Sequence, residues 1–188
     1  MSDGPGDDQF IVEQIVSGRK ELFRILAQRY EKAVYGMGLS FFRNAEDAAD
    51  FVQEVFLKSF RNLAGFEGRS RFSTWLYRIA YNTAANSLRR RKEYSAPLDY
   101  ILDREEAGRE TPERLSIRAA VAEAVRAAMQ DLSEDRRICL DLFFFYDQTY
   151  QEIEAITGFP VNTIKSHVFR AKKLLREKLA ELAEGGFE

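Results

Sequence analysis

Residues 72–92 read FSTWLYRIAYNTAANSLRRRK. Phe72, Trp75, Leu76, Ile79, Ala80, Thr83 and Leu88 recur at steps of three and four, the spacing of one side of an α-helix. The other side carries Arg78, Tyr81, Asn82, Ala85, Asn86 and Arg89, and the stretch ends in the cations of 89–92. Aromatic faces stack on bases, amides read base edges and cations neutralise phosphates, so such a helix suits nucleic acid. The same pattern fits a core helix with a solvated basic end, and this stretch alone leaves both readings open.

Upstream, residues 10–16 form a short amphipathic helix that pauses at Ser17-Gly18. A long helix follows over 21–42, with Phe23, Leu26, Ala27, Tyr30, Val34 and Met37 at helical spacing. Asn44 reads as an N-cap, with Glu46 and Asp47 placed well for the helix dipole. The helix it opens buries Ala48, Val52, Val55, Phe56, Ser59 and Phe60 and shows Asp47, Asp50, Gln53 and Glu54 outward. Taken by itself, such a row is an ordinary solvated face. The polar loop 65–70 then leads into residue 72, and Phe66 within it is either tucked into the core or held out for a ligand.

Downstream, residues 94–113 contain Pro97, Gly108 and Pro112, show no period and are mostly acidic, which reads as a flexible linker between two domains. Helical pattern resumes near Ser116 and runs through Ile117, Val121, Ala124, Val125 and Ala128. Ser133 reads as the cap of a further helix carrying Ile138, Leu142, Phe145 and Tyr146. Thr149-Tyr150-Gln151-Glu152 has the form of a capping box. Ile153 and Ile156 face inward, Gly158 makes a turn, and Pro160 opens the next helix. Val161, Ile164, Val168, Ala171 and Leu175 share one side of that helix, while Asn162, Lys165, Ser166, Phe169, Arg170 and Lys173 lie elsewhere. A short helix, a glycine turn and a second helix with a polar, cationic face make a helix-turn-helix; an ordinary helical hairpin is the plainer alternative.

The expected class is therefore all-α: two small helical domains, 1–92 and 116–188, joined by a flexible acidic linker at 93–115, with the helix-turn-helix in the second. A hydrophobic share of 45% is enough for real cores, and scarce Pro without alternating apolar runs argues against sheets. The formal net charge of −2 conceals segregation. Residues 58–92 hold many cations against Glu67 alone, 160–178 repeat that bias, and 44–57 and 93–115 are acidic. Two basic patches divided by acidic ground suggest two contacts with a polyanion.

No run of 18 apolar residues is present, so no membrane insertion is expected. The acidic N-terminus has no apolar segment of the kind a signal peptide needs. The single cysteine, Cys139, excludes an internal disulfide, sits among Ile138, Leu140 and Leu142 as a packed thiol, and fits a reducing compartment. His167 is the sole histidine, with no second His or Cys near it, so no metal site is expected. There is no phosphate loop, no dinucleotide fingerprint and no His to serve a nucleophile; neither catalysis nor a cofactor is expected.

Three segments together resemble a family. NAEDAADFVQEVFLKSF at 44–60, FEGRSRFSTWLYRIAYNTA at 66–84 and YQEIEAITGFPVNTIKSHVFRAKKLLREKL at 150–179 are similar to the extracytoplasmic-function sigma factors, two-domain promoter-recognition subunits of bacterial RNA polymerase. The likeness covers about residues 10–92 and 115–180. It implies a transcription initiation factor whose partners are core RNA polymerase, promoter DNA and an anti-sigma factor; a single helix-turn-helix with small basic patches is expected to leave the free chain a monomer, and the cysteine usage fits the cytoplasm. By the resemblance, Asp47, Asp50, Gln53 and Glu54 match the surface that docks on the polymerase clamp helices. Phe66, Arg69, Ser70, Arg78, Asn82, Arg89 and Arg90 match the surface that receives and melts the minus-10 element, with Phe66 and Asn82 beside a flipped base. Asn162, Thr163, Lys165, Ser166, Phe169, Arg170 and Lys173 match the helix that lies in the minus-35 major groove. Glu67, an acid in a DNA-facing loop, and His167, where the family often has Arg, depart from the pattern. Two other readings stand beside it: a free-standing helix-turn-helix regulator that binds operators alone, and an interaction module whose acidic linker occupies a partner.

Overall fold

The structure, a computed structural model, describes residues 7–94 and 132–185. Those residues form seven α-helices and two short 3-10 turns, with no strand among them. The helices are α1 (Asp8–Val16), α2 (Phe23–Phe42), α3 (Ala45–Asn62), α4 (Phe72–Tyr94), α5 (Glu134–Phe144), α6 (Tyr150–Thr157) and α7 (Val161–Gly185). Described residues 7–94 and 151–158 group into one compact unit, and 132–150 with 159–185 into a second. The expected linker, apart from its first two residues, and the helix expected at 116–128 lie outside the described residues.

In the first unit, α2, α3 and α4 pack on one another. Asp7 caps α1 by accepting from the Gln9 amide at 3.4 Å, and Ile11, Val12 and Ile15 are buried. Asp8 then binds both Arg29 and Tyr30 of α2, which ties α1 down. The expected helix at 21–42 opens instead with a 3-10 turn, Lys20–Leu22, and becomes α-helical at Phe23. At its far end Arg43 adopts a left-handed conformation (φ 53°) and donates its amide to Leu39 at 2.9 Å. That turn aims Asn44 at the next helix, where its side-chain oxygen accepts from the Asp47 amide at 3.0 Å, as the sequence predicts.

The pairing of α2 with α3 depends on a small residue. A β-carbon on Gly38 would lie 2.9 Å from Phe51 Cδ1 and 3.0 Å from Ala48 Cα, so only glycine allows this approach. The buried stripe of α3 is Ala48, Phe51, Val55 and Ser59, which corrects the sequence reading in part. Phe51 takes the centre, Val52 and Phe56 are half-buried, and Phe60 is exposed. The reason is that Phe56 and Phe60 lie on the flank of the stripe, where both meet Phe23 edge-on at 6.3 and 5.0 Å.

Helix α4 runs two residues past the expected end, to Tyr94. Phe72, Leu76, Ala80 and Thr83 are buried as expected, but Tyr77 and Ala84 join them while Trp75, Ile79 and Leu88 are only half-buried. Tyr77 meets Tyr30 edge-on at 6.2 Å, and burial pushes its phenol up to about 12. Lys58 donates to Thr83 at 3.2 Å, linking α3 to α4. Within the same unit Arg71 donates from Nε and Nη2 to the two carboxylate oxygens of Glu152, at 2.7 and 2.8 Å.

In the second unit α5 packs on α7, around a core that includes Leu132, Leu140 and Ala171. Ser133 stands at the N-cap of α5, but its side chain makes no capping bond; its carbonyl accepts from the Arg137 amide at 3.0 Å. Ile138 and Leu142 are buried as expected, together with Cys139 and Leu140. Phe145 is 64% exposed, against expectation, because α5 ends at Phe144 and Phe145 begins the following turn. Burial, then the nearby Asp135, raises the Cys139 thiol to about 12, so it stays protonated. In the part of α6 that belongs to the first unit, Ile153 and Ile156 are buried and Gly158 takes the left-handed conformation (φ 77°) of a helix stop; in the second unit the Pro160 carbonyl accepts from the Ile164 amide at 3.0 Å to start α7.

Candidate nucleic-acid interface

The loop before α4 is built around one ring. Phe66 lies edge-on to Phe72 at 5.8 Å and tilted on Trp75 at 5.4 Å, so it is anchored to the first turn of α4 and half-buried. One part of the ring is packed and the rest faces out, an intermediate between the two sequence options. Gly68 behind it has φ 67° and stands against Gln9 of α1. Glu67 pairs with Arg69, and both remain exposed. The acid that departs from the family pattern thus neutralises a cation of its own loop. Ser70 is exposed and donates to the Arg71 carbonyl at 3.3 Å.

From Trp75 a stripe continues along α4 through Arg78, Asn82, Asn86 and Arg89 at steps of three and four, all four of these exposed. Arg89 donates to Asn86 Oδ1 at 2.8 Å, which fixes its guanidinium on that face. Tyr81 is half-buried against Phe41 at 6.0 Å. The geometry therefore brings Phe66, Arg78, Asn82 and Arg89 onto one continuous surface.

Arg90 is exposed one turn beyond Asn86 and also faces α3. It lines a cleft of about 280 Å³ between α3 and α4, with Phe42 and Phe51 and with Asp47, Asp50, Glu54 and Ser87. Asp50, Gln53 and Glu54 are exposed and Asp47 half-buried, so the acidic row is presented as expected. Glu54 also pairs with Lys58 at 2.6 Å, an exposed i,i+4 contact. Leu57 sits one turn beyond Gln53 on this face and is 50% exposed; a leucine inside an amphipathic pattern carries no sequence signal that would set it there.

On α7, Asn162, Lys165, Ser166, Phe169, Arg170 and Lys173 are exposed and Thr163 is half-buried. Phe169 is 68% exposed. Ser166 donates to the Asn162 carbonyl at 3.0 Å, and Lys173 approaches Glu177 at 3.7 Å. Lys165 Nζ lies 5.8 Å from the centre of the Tyr150 ring, a neighbour the sequence pattern does not announce. His167 is half-buried, edge-on to Phe159 at 5.9 Å, and its Nδ1 is buried without a hydrogen-bond partner among the described residues. Desolvation lowers its pKa; Asp135 opposes this, and Arg136 and Arg170 reinforce it. A neutral imidazole thus stands where the family pattern often has a cation.

Among the described residues no group of three His, Cys, Asp or Glu could hold a metal ion, and no helix is long and apolar enough to cross a membrane. Chemically the surfaces offer stacking rings, amides, guanidiniums and ammoniums on two helices and carboxylates on a third. That inventory serves binding of a polyanion and of a basic protein partner.

Residues 26–94 match Sigma-70 region 2, and residues 122–175 match Sigma-70, region 4. The RNA polymerase sigma-H factor of Pseudomonas aeruginosa is 35% identical over 183 residues, which span 93% of this chain and 95% of that protein. The ECF RNA polymerase sigma-E factor of Escherichia coli is 36% identical over 183 residues, with the same shares of the two chains. Among solved structures, the sigma factor RpoE in complex with the anti-sigma factor NepR from Bartonella quintana matches with a TM-score of 0.70 at 23% identity, over 84% of this chain and 96% of that one. CnrH in complex with the cytosolic domain of CnrY matches with a TM-score of 0.65 at 23% identity, over 93% and 97%. At that identity the two structures speak for the fold.

Proposed function

This chain belongs to the extracytoplasmic-function sigma factors of bacterial RNA polymerase, and from that premise we propose which of its surfaces performs each step of initiation. As a sigma factor it directs the polymerase to specific promoters and starts transcription there, and it is not an enzyme. It acts on RNA polymerase in the cell interior, and we place it in the cytoplasm on that ground.

The row Asp47, Asp50, Gln53 and Glu54 docks on a basic helical surface of the core enzyme; its exposure and its charge support this. The surface from Phe66 along Arg78, Asn82 and Arg89 receives the unwound minus-10 element, with Arg69 and Ser70 at its entrance. Phe66 offers the exposed part of its ring to an extruded base, and Asn82 offers an amide to that base. The outward face of α7 enters the minus-35 major groove. Arg90, assigned to the minus-10 surface by resemblance, is better grouped with the docking cleft that it lines.

Energetics require the partner. Opening about ten base pairs costs roughly 14 kcal/mol at about 1.4 kcal/mol per step. A few base–aromatic stacks at about 1–3 kcal/mol each do not cover that. The free chain is then a monomer that binds promoter DNA weakly, and core polymerase converts it into a tight, promoter-specific complex. Like the Bartonella relative, which is solved with an anti-sigma factor, it is held in reserve by an anti-sigma partner.

The carrying observation is the division of charge within the first unit, carboxylates on α3 and a cationic, aromatic stripe on α4. The test is a promoter-DNA titration at physiological salt, with and without core polymerase. Tight sequence-specific binding by the isolated chain, unchanged by polymerase, would favour a free-standing regulator and overturn the proposal.

A further inference from the structure

Helix α7 presents three directions, not two. Ile164, Val168 and Ala171 face the core and are fully or almost fully buried. At about 100° per residue, Asn162, Ser166, Phe169, Arg170 and Lys173 spread over the opposite, outward side. Lys165 and Lys172 belong to neither group. They stand seven residues apart, two turns of helix, and share one flank.

That flank is paved with rings. Tyr150, the first residue of α6, is stacked on Phe143 with centroids 4.9 Å apart and planes 11° from parallel. Lys165 Nζ lies 5.8 Å over Tyr150. Lys172 Nζ lies 5.0 Å over Phe143 and 4.6 Å over Phe144, which itself meets Phe143 edge-on at 5.0 Å. These rings give both long side chains a defined rest position.

We propose that the Phe143–Tyr150 stack is a positioning platform that holds Lys165 and Lys172 as a pair of phosphate clamps at the edge of the groove, so that Lys165 reads no base. The proposal rests on the reading that α7 enters the major groove. Three arguments carry it. A ring face covers one side of an ammonium and leaves donors open on the other, so each lysine keeps hydrogen bonds for a phosphate. A side chain already held against a ring gives up less freedom on binding. An ammonium is a point charge suited to phosphate, while the planar amide of Asn162 and the fork of Arg170, both on the outward side, are shaped for two-point contact with a base edge. Tyr150 and Phe143 are then positioning residues, acting through the lysines.

The test uses the complete chain with core polymerase, on promoter DNA over a series of salt concentrations and on a library randomised in the upstream element. In the double variant Lys165→Ala, Lys172→Ala, the slope of log affinity against log salt should fall by about 1.8, or about 0.9 for each phosphate left without its lysine. Affinity should drop alike for all upstream sequences, leaving the library preference where it was, while Arg170→Ala shifts it. Tyr150→Leu should weaken binding about two- to fivefold, the size of one exposed cation–π contact, and Tyr150→Phe should restore it because the ring remains. A changed base preference in Lys165→Ala overturns the proposal, as does an unchanged salt slope in the double variant. Both lysines are exposed, so those variants stay informative even if Tyr150→Leu unfolds. A parent holoenzyme indifferent to the upstream element would sink the groove reading itself; a parent with normal preference and a shifted Lys165→Ala variant would sink the clamp alone.

Discussion

Gly68 stands directly against Gln9: a β-carbon on Gly68 would lie 2.6 Å from Nε2 and 3.0 Å from Oε1 of that side chain. The contact joins the loop that carries Phe66, proposed above to receive a base, to helix α1. Gly68→Ala combines this crowding with a left-handed backbone (φ 67°) that alanine disfavours. The end of Gln9 can swing aside, so most of the penalty is conformational. Stability should fall by roughly 1 kcal/mol, read as a lower denaturation midpoint, and open-complex formation should slow. A variant as stable and as active as the parent would show that the loop does not need this turn.

Removing the ring gives a cleaner separation of steps. Phe66→Ala leaves Phe72 and Trp75 in place but takes away the half-exposed ring. Open-complex formation should be impaired more than initial binding, since only the former needs an extruded base. Permanganate footprints that match the parent, with folding intact, would dismiss the role.

At Gly38 the obstacle is backbone, not the tip of a flexible chain. Gly38→Ala drives a methyl group toward Ala48 Cα and the Phe51 ring, and the α2–α3 pair must separate to admit it. Overpacking of this kind should cost about 1–3 kcal/mol, seen as a lower midpoint at unchanged denaturant slope.

Asp50→Arg with Glu54→Arg reverses charge on the face proposed to dock on the polymerase. Association with core polymerase should be abolished, because like charges then oppose a basic partner. Both side chains are exposed, and the Glu54–Lys58 pair at 2.6 Å is a surface contact, so the melting temperature should barely move. A large drop in melting temperature would mark the row as structural.

His167 links stability to pH. Its pKa is lowered in the folded chain, chiefly by desolvation, with Asp135 opposing and Arg136 and Arg170 adding to the shift. The unfolded chain therefore binds the proton first. Stability from the neutral imidazole is complete above the unfolded value of about 6.5 and is lost as pH falls from there toward the lowered folded value. Denaturation midpoints measured from pH 7.5 downward should decline, and His167→Gln should flatten that decline. Equal slopes in both proteins would refute the linkage.

Much of the fold was legible because its signals are local. Asn44 caps α3, Gly158 stops α6 and Ser17-Gly18 ends α1, each through backbone and side-chain atoms within a few residues. The core face of α3 was less legible. Phe51, Phe56 and Phe60 all fit a helical stripe within its breadth, and only the approach of Gly38 decides that Phe51 is the one enclosed. Within the run of cations at 89–92, Arg89 is held by Asn86 while Arg90 also borders the cleft beside α3, a difference that the run itself does not reveal. Phe143 and Tyr150 meet across a turn between two helices, and no spacing rule places them together. Function itself came from the joint resemblance of three segments, since a helix-turn-helix alone serves many proteins.

Helix α4 is unbroken from Phe72 to Tyr94. Phe66 is pinned to its first turn, and Arg90 lies beside the acidic row near its other end. Those two ends are about 27 Å apart at 1.5 Å per residue, the length of about eight base-pair steps at 3.4 Å each. The helix is thus a ruler. On the roles proposed for its two ends it fixes the distance between the polymerase contact and the extruded base, and lengthening it by one turn would change that distance by about 5.4 Å.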